Sequence, residues 1–167
     1  PVSSSGNKWH LGVTEASTGL KFSKPLPDKA APTVLKALKQ VVAEIKLLCG
    51  ATVNVARWHS DDDASFKKDV DAWLLDKGWQ RTDTGGYNSN KNAIQERANR
   101  KLHEAARAMM RCATHGNCQY KDTWDVLMEH AAAVSNNQPE CGLLSPIEQA
   151  GGTKLNMYEE YHPALCH

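Results

Sequence analysis

Between residues 27 and 50, Val34, Leu35, Leu38, Val41, Val42, Ile45 and Leu48 recur at helical spacing. They predict one amphipathic helix with a buried stripe. Asp28 or Pro32 stands near its start and Gly50 beyond its end. Before it, Trp9–Glu15 and Thr18–Leu26 read as two strands joined by a short turn at Ala16-Ser17. After it, Thr52–Trp58 suits a strand, and Phe66, Val70, Trp73, Leu74 and Leu75 mark the packed face of a helix ending near Lys77-Gly78. Trp79–Thr82 is a further short strand. Lys121–Asn136 is a helix burying Trp124, Leu127, Met128 and Ala131. Strands alternating with helices in this way predict an α/β fold.

The longest pattern follows the polar, turn-rich segment Gly85-Gly86-Tyr87-Asn88-Ser89-Asn90. Ile94, Ala98, Leu102, Ala105 and Met109 form an apolar stripe, with Asn90 or Asn92 as the helix N-cap. Glu96, Arg100, His103 and Arg107 recur on a second face. A Glu at a helix start and cations behind it suit the macrodipole, and Glu96–Arg100 is an ordinary i,i+4 pair. That face taken alone reads as a solvated surface.

A second polar stretch changes this. Asp61, Asp62 and Asp63 follow directly on the predicted strand. In open α/β sheets, functional side chains sit just outside the carboxyl ends of strands. Three adjacent carboxylates repel one another, so solvent or a cation must relieve them. Asp61 is expected to face a site, with Asp62 and Asp63 capping the next helix. The 34 residues 62–95 separate Asp61 from Glu96. Such a strand-end Asp and helix-borne Glu can converge on a divalent cation through oxygen ligands.

Composition sharpens little. The formal net charge of the 167 residues is +1, so any nucleic-acid surface must be local. Five scattered Cys point to reduced thiols inside a cell. Cys112-x-x-His115-x-x-Cys118 lacks an evident fourth ligand for zinc. No apolar run is long enough to span a bilayer.

The segments His59-Ser60-Asp61, Phe66 and Tyr87-Asn88-Ser89-Asn90-Lys91-Asn92-Ala93-Ile94-Gln95-Glu96-Arg97, with Asn99-Arg100, resemble the catalytic core of retroelement integrases, in its copia-type retrotransposon form. Trp124–Asn137 and Ser145-Pro146-Ile147-Glu148 resemble the helix and the Pro-Glu segment that follow in that family. The resemblance implies an RNase H-like mixed sheet flanked by helices. Residues 1–137 would be the core and 138–167 a weakly packed extension with a short helix near Ser145–Gln149. The family's first catalytic Asp ends a strand upstream of the Trp9–Leu26 hairpin, so the chain is expected to lack its first strand and that acid. Glu15 would not replace it, because it lies in the second strand.

The activity implied is DNA 3′-end processing and strand transfer in the parent polyprotein, a polynucleotidyl transferase and nuclease. This portion alone would be inactive. Asp61 and Glu96 would be catalytic and would bind Mg2+ or Mn2+, with Asp62 as a fallback ligand. Tyr87, Asn92, Arg100, His103 and Arg107 would contact DNA. Partners would be element-end and target DNA, with self-association of the parent protein. The parent would act in the nucleus and also occur in cytoplasmic particles. The alternative is an inactive or domesticated module of the same fold that binds DNA or protein without catalysis.

Overall fold

The structure, a computed structural model, describes residues 2–50, 55, 57–60, 63–83, 93–113, 121–139 and 143–153. Strands β1 (Trp9–Thr14) and β2 (Lys21–Leu26) form an antiparallel pair. Helix α1 (Ala31–Cys49) follows, with Pro32 in its first turn, where a missing N–H costs nothing. Gly50 ends it at φ 92°, a conformation costly for a residue with a Cβ. Strand β3 (Arg57–Ser60), helix α2 (Asp69–Asp76) and strand β4 (Gln80–Asp83) come next, β3 and β4 pairing in parallel. Helices α3 (Ala93–Ala113), α4 (Trp124–Asn137) and the single turn α5 (Pro146–Gln149) complete the order.

One face of β1 and β2 sends Leu11, Val13, Phe22 and Leu26 into a core shared with Val34, Leu38, Val41 and Ile45 of α1 and Val70 and Leu74 of α2. The opposite side carries α3 against β1 and α4 against β2. A second core, Leu102, Ala106, Leu127, Met128, Ala131 and Ala132, holds α3 to α4. The sheet residues thus lie between two helical layers.

Polar groups tie these layers together. The buried Asn136 side chain accepts from the Lys21 N–H and donates to the Lys21 carbonyl, both at 2.8 Å. Both backbone groups of Lys21 therefore face away from β1. Lys24 Nζ lies 2.7 Å from Glu44 of α1 and 3.3 Å from Glu129 of α4. At the amino end, Asn7 Nδ2 donates to Asp125 Oδ2 at 2.9 Å, and Ser4 N–H donates to the Asp122 carbonyl at 2.7 Å.

Several expectations shift. Of the expected strand Thr52–Trp58, residues 52–54 and 56 lie outside the described residues, and β3 itself runs on to Ser60, because its pairing with β4 aligns Arg57–Ser60 with Gln80–Asp83. Asp63 does not open the next helix. Its carbonyl accepts from Phe66 N–H at 3.1 Å to close a 3-10 turn at Ala64–Phe66, and α2 begins only at Asp69. Lys68, at φ 56°, stands between the two and interrupts helical continuity.

Leu75 is exposed rather than packed, since α2 turns Val70 and Leu74 inward. Ile94, at the first turn of α3, is also exposed, and Ala106 joins the buried stripe instead. The segment at Ser145–Ile147 is well packed. Ser145 and Glu148 form a capping box, and Ile147 sits in the α1 core. Among the described residues, no helix is long and apolar enough to cross a membrane.

Candidate functional site

The described strands form two separate two-stranded sheets, β1–β2 and β3–β4. Between them lies a cleft of about 800 Å3. All of β1 lines one side and all of β3 the other. Val42, Ile45 and Cys49 of α1 contribute apolar wall, and Gln95 and Asn99 of α3 contribute polar wall.

The approach of α3 to this cleft depends on Gly12. A Cβ there would collide with the Asn99 and Gln95 side chains, which are bonded to each other at 2.8 Å. Glycine at this strand position lets the helix start lie directly on the β1 backbone. That packing fixes the first turn of α3, where Glu96 stands exposed. Its carboxylate suits the positive end of the helix dipole.

At the other wall, β3 delivers Ser60, the residue before Asp61, to the cleft, and Asp63 lines it as well. Asp63 Oδ2 lies 3.9 Å from Lys29 Nζ. The chain immediately before Asp61 and the chain immediately before Glu96 therefore border one opening. Asp61 and Asp62 themselves lie outside the described residues, as do Tyr87, Asn92, His115 and Cys118.

Along α3, Arg100 and Arg107 are exposed on the same face as Glu96. No ion pair joins Glu96 to Arg100 among the described residues, so both side chains face solvent. His103 is half-buried. Its ring meets His10 edge-on, with centroids 5.1 Å apart, and His10 lies 6.5 Å from the Trp124 ring. Burial, then the charge of Arg107, lowers the His103 pKa; burial, then His103, lowers that of His10. At neutral pH both rings are held uncharged, so the cationic character of this face rests on the arginines.

Glu15 is occupied elsewhere. Burial pushes its pKa up, but hydrogen bonds from Thr18 and Ser17 outweigh that and lower it. Its carboxylate ties the β1–β2 turn. Among the described residues no three His, Cys, Asp or Glu side chains converge as a metal site. Glu96 is the described member of the expected pair. Its exposed carboxylate has the oxygen chemistry that a hard divalent cation takes.

His10, Gly12, Thr14, Trp58 and Ser60 were not among the expected site residues. Gly12 carried a signal, because an isolated Gly within a strand pattern marks a close backbone approach. Ser60 carried one too, standing beside Asp61 in the His59-Ser60-Asp61 segment, whereas His10, Thr14 and Trp58 carried none, since their place depends on pairing between distant segments.

No protein-family model matches the sequence, and neither does any curated protein. Among solved structures, the fold is similar to that of the catalytic core domain of BIV integrase. The TM-score is 0.62 and the identity 21%, over 83% of this chain and 82% of that one. The fold is thus the mixed α/β, RNase H-like fold of an integrase catalytic core.

Proposed function

We propose that this chain is part of a copia-type retroelement integrase core that acts on DNA by phosphoryl transfer. The observation that carries the reading is the shared cleft. Ser60 and Asp63, on either side of Asp61 in the sequence, line one wall, and Gln95, next to Glu96 in the sequence, lines the other. The similarity of the fold to an integrase catalytic core domain supports the reading.

In this reading Asp61 and Glu96 hold Mg2+ or Mn2+, with Asp62 as the fallback ligand. A divalent cation held there would supply charge neutralisation at phosphoryl oxygens and Lewis-acid activation of a water or hydroxyl nucleophile. Packing of Gln95 and Asn99 on Gly12 positions the Glu96 carboxylate. Arg100 and Arg107 hold DNA phosphates from the exposed face of α3, giving affinity without base readout. His103 takes up a proton when a phosphate approaches, because an anion favours its charged form. Tyr87 and Asn92 are assigned to the DNA end by resemblance. The substrates are element-end and target DNA, and the parent protein self-associates in the nucleus.

The test is thermal unfolding during Mg2+ and Mn2+ titration of the wild type, Asp61→Asn and Glu96→Gln. Metal should stabilise the wild type through preferential binding to the folded state, and each variant should lose that stabilisation. An unchanged metal response in Glu96→Gln overturns the ligand assignment. Arg100→Ala and Arg107→Ala should weaken duplex binding and flatten its salt dependence, each by about one counterion.

A further inference from the structure

A second groove, of about 330 Å3, lies where the β1–β2 turn, the opening turns of α3 and the chain around α5 meet. Helical spacing decides which α3 side chains reach it. Arg97 and Lys101 stand four residues apart and so share one face of the helix. Each follows Glu96 or Arg100 by one position, which turns it about 100° around the helix axis from those two. The groove therefore uses a different face of α3 from the one assigned to metal and DNA.

Charge in this groove is one-sided. Lys21, Arg97 and Lys101 line it, and among the described residues no Asp or Glu does. Arg97 Nε donates to the Ala93 carbonyl and Lys21 Nζ to the Gly19 carbonyl, both at 3.2 Å, so each cation is held against an element of the groove wall. The acids close by in the sequence are committed elsewhere. Glu15 accepts from Ser17 and Thr18 in the β1–β2 turn, and Glu148 accepts from the Ser145 N–H and hydroxyl. Large apolar side chains stand among the cations. Ile94 is 52% exposed, Leu143 66% and Leu144 60%, and all three line the groove. Single exposed apolar residues are ordinary, but several gathered in one groove with a polar border mark an interaction site.

We infer that this groove docks an acidic, amphipathic peptide segment of a partner protein. The cations select the sign of the partner, because complementary charge steers the encounter and like charge is rejected. The apolar groups select its kind. A nucleic-acid backbone would satisfy the cations and leave Ile94, Leu143 and Leu144 in water. A peptide that carries Asp or Glu beside Leu or Phe meets both demands, and removing those apolar surfaces from water supplies the affinity. Its carboxylates would face Lys21, Arg97 and Lys101, and its apolar side chains would cover the two leucines and Ile94. The inference rests on the groove and not on Asp61, Glu96 or a metal, so it can fail while those assignments stand.

The probe is the synthetic peptide Gly-Asp-Glu-Leu-Phe-Asp-Glu-Leu-Gly, compared with versions that carry Lys for every acid or Ser for every apolar residue. Chemical shifts of the isotope-labelled chain locate the contact, and fluorescence anisotropy of the dye-labelled peptide gives the affinity. The acidic peptide should bind saturably and shift Ile94, Arg97, Lys101 and Leu144. Combining Arg97→Glu with Lys101→Glu should weaken it by about tenfold or more, and the Lys peptide should bind that variant but not the wild type. Leu144→Ser should weaken it by about threefold or more while its circular dichroism stays native, because Leu144 is exposed.

Shifts that stay unchanged at these residues as the acidic peptide is raised to millimolar concentration overturn the inference. So does binding that survives the double charge reversal, or that the Ser peptide matches, since the groove would then lack one of its two selecting features. A DNA duplex that shifts the same residues and displaces the peptide would make the groove a nucleic-acid contact and overturn it. Shifts there that grow with protein concentration alone, alongside a dimer mass, would assign the groove to a second copy and also overturn it.

Discussion

The half-sheet β1–β2 and the half-sheet β3–β4 stand on opposite sides of one cleft and are built differently. The first has six-residue strands, a shared core with α1 and a cover of α3 and α4. Among the described residues, the second has four-residue strands, with Arg57 and His59 exposed. It relies on α2, on the Trp73–Trp79 edge-to-face contact at 5.3 Å, and on Arg81 reaching Asp71. The firm half fixes the start of α3 through Gly12, whereas the slighter half brings Ser60 toward it. A site assembled across such a junction draws its two walls from differently supported half-sheets.

The sharpest way to probe this contrast is to weaken the firm half. Leu38 is fully buried, so Leu38→Ala should cost about 2–5 kcal/mol in urea unfolding. A loss well under 1 kcal/mol would show that the α1 core is not what secures β1–β2. Asn136→Ala strips both Lys21 backbone groups of their partner. It should cost about 1–3 kcal/mol, with exchange at the Lys21 amide rising more than at β3 or β4.

The contrast also predicts an order without mutation. In native-state exchange, the ladder amides of β3–β4 should open at lower free energy than those of β1–β2. Equal protection would erase the difference between the halves.

The smallest effect concerns pH. His10 and His103 both have lowered pKa values, so their contribution to stability is present above the ordinary value of about 6.5. It is lost as pH falls through the folded-state values, because the folded protein resists protonation. His103→Phe should shallow that acid-side decline, measured as the urea midpoint between pH 7 and pH 5.

The sequence reveals these regions unevenly, for physical reasons. The α1 stripe was legible because seven apolar residues repeat through several turns. The α3 stripe was nearly so. Ala98 and Leu102 are buried as expected, but Ile94 sits before the α4 contact begins and stays exposed. Ile147 could not be seen as core, since one apolar residue among turn formers carries no period. The acids of the candidate site stood out through their neighbours and spacing. The cleft did not, because an unpaired strand edge is a property of distant segments. Gly12 alone hinted at it locally.

The clamp of Asn136 on Lys21 reaches beyond the joint it makes. It occupies outward-facing backbone on β2, and Pro25, two positions after Ser23, can offer no amide on the same side. The outer rim of this half-sheet is thereby blunted against additional chains. A chain approaching that rim would meet the Asn136 amide at Lys21 before it met open strand backbone.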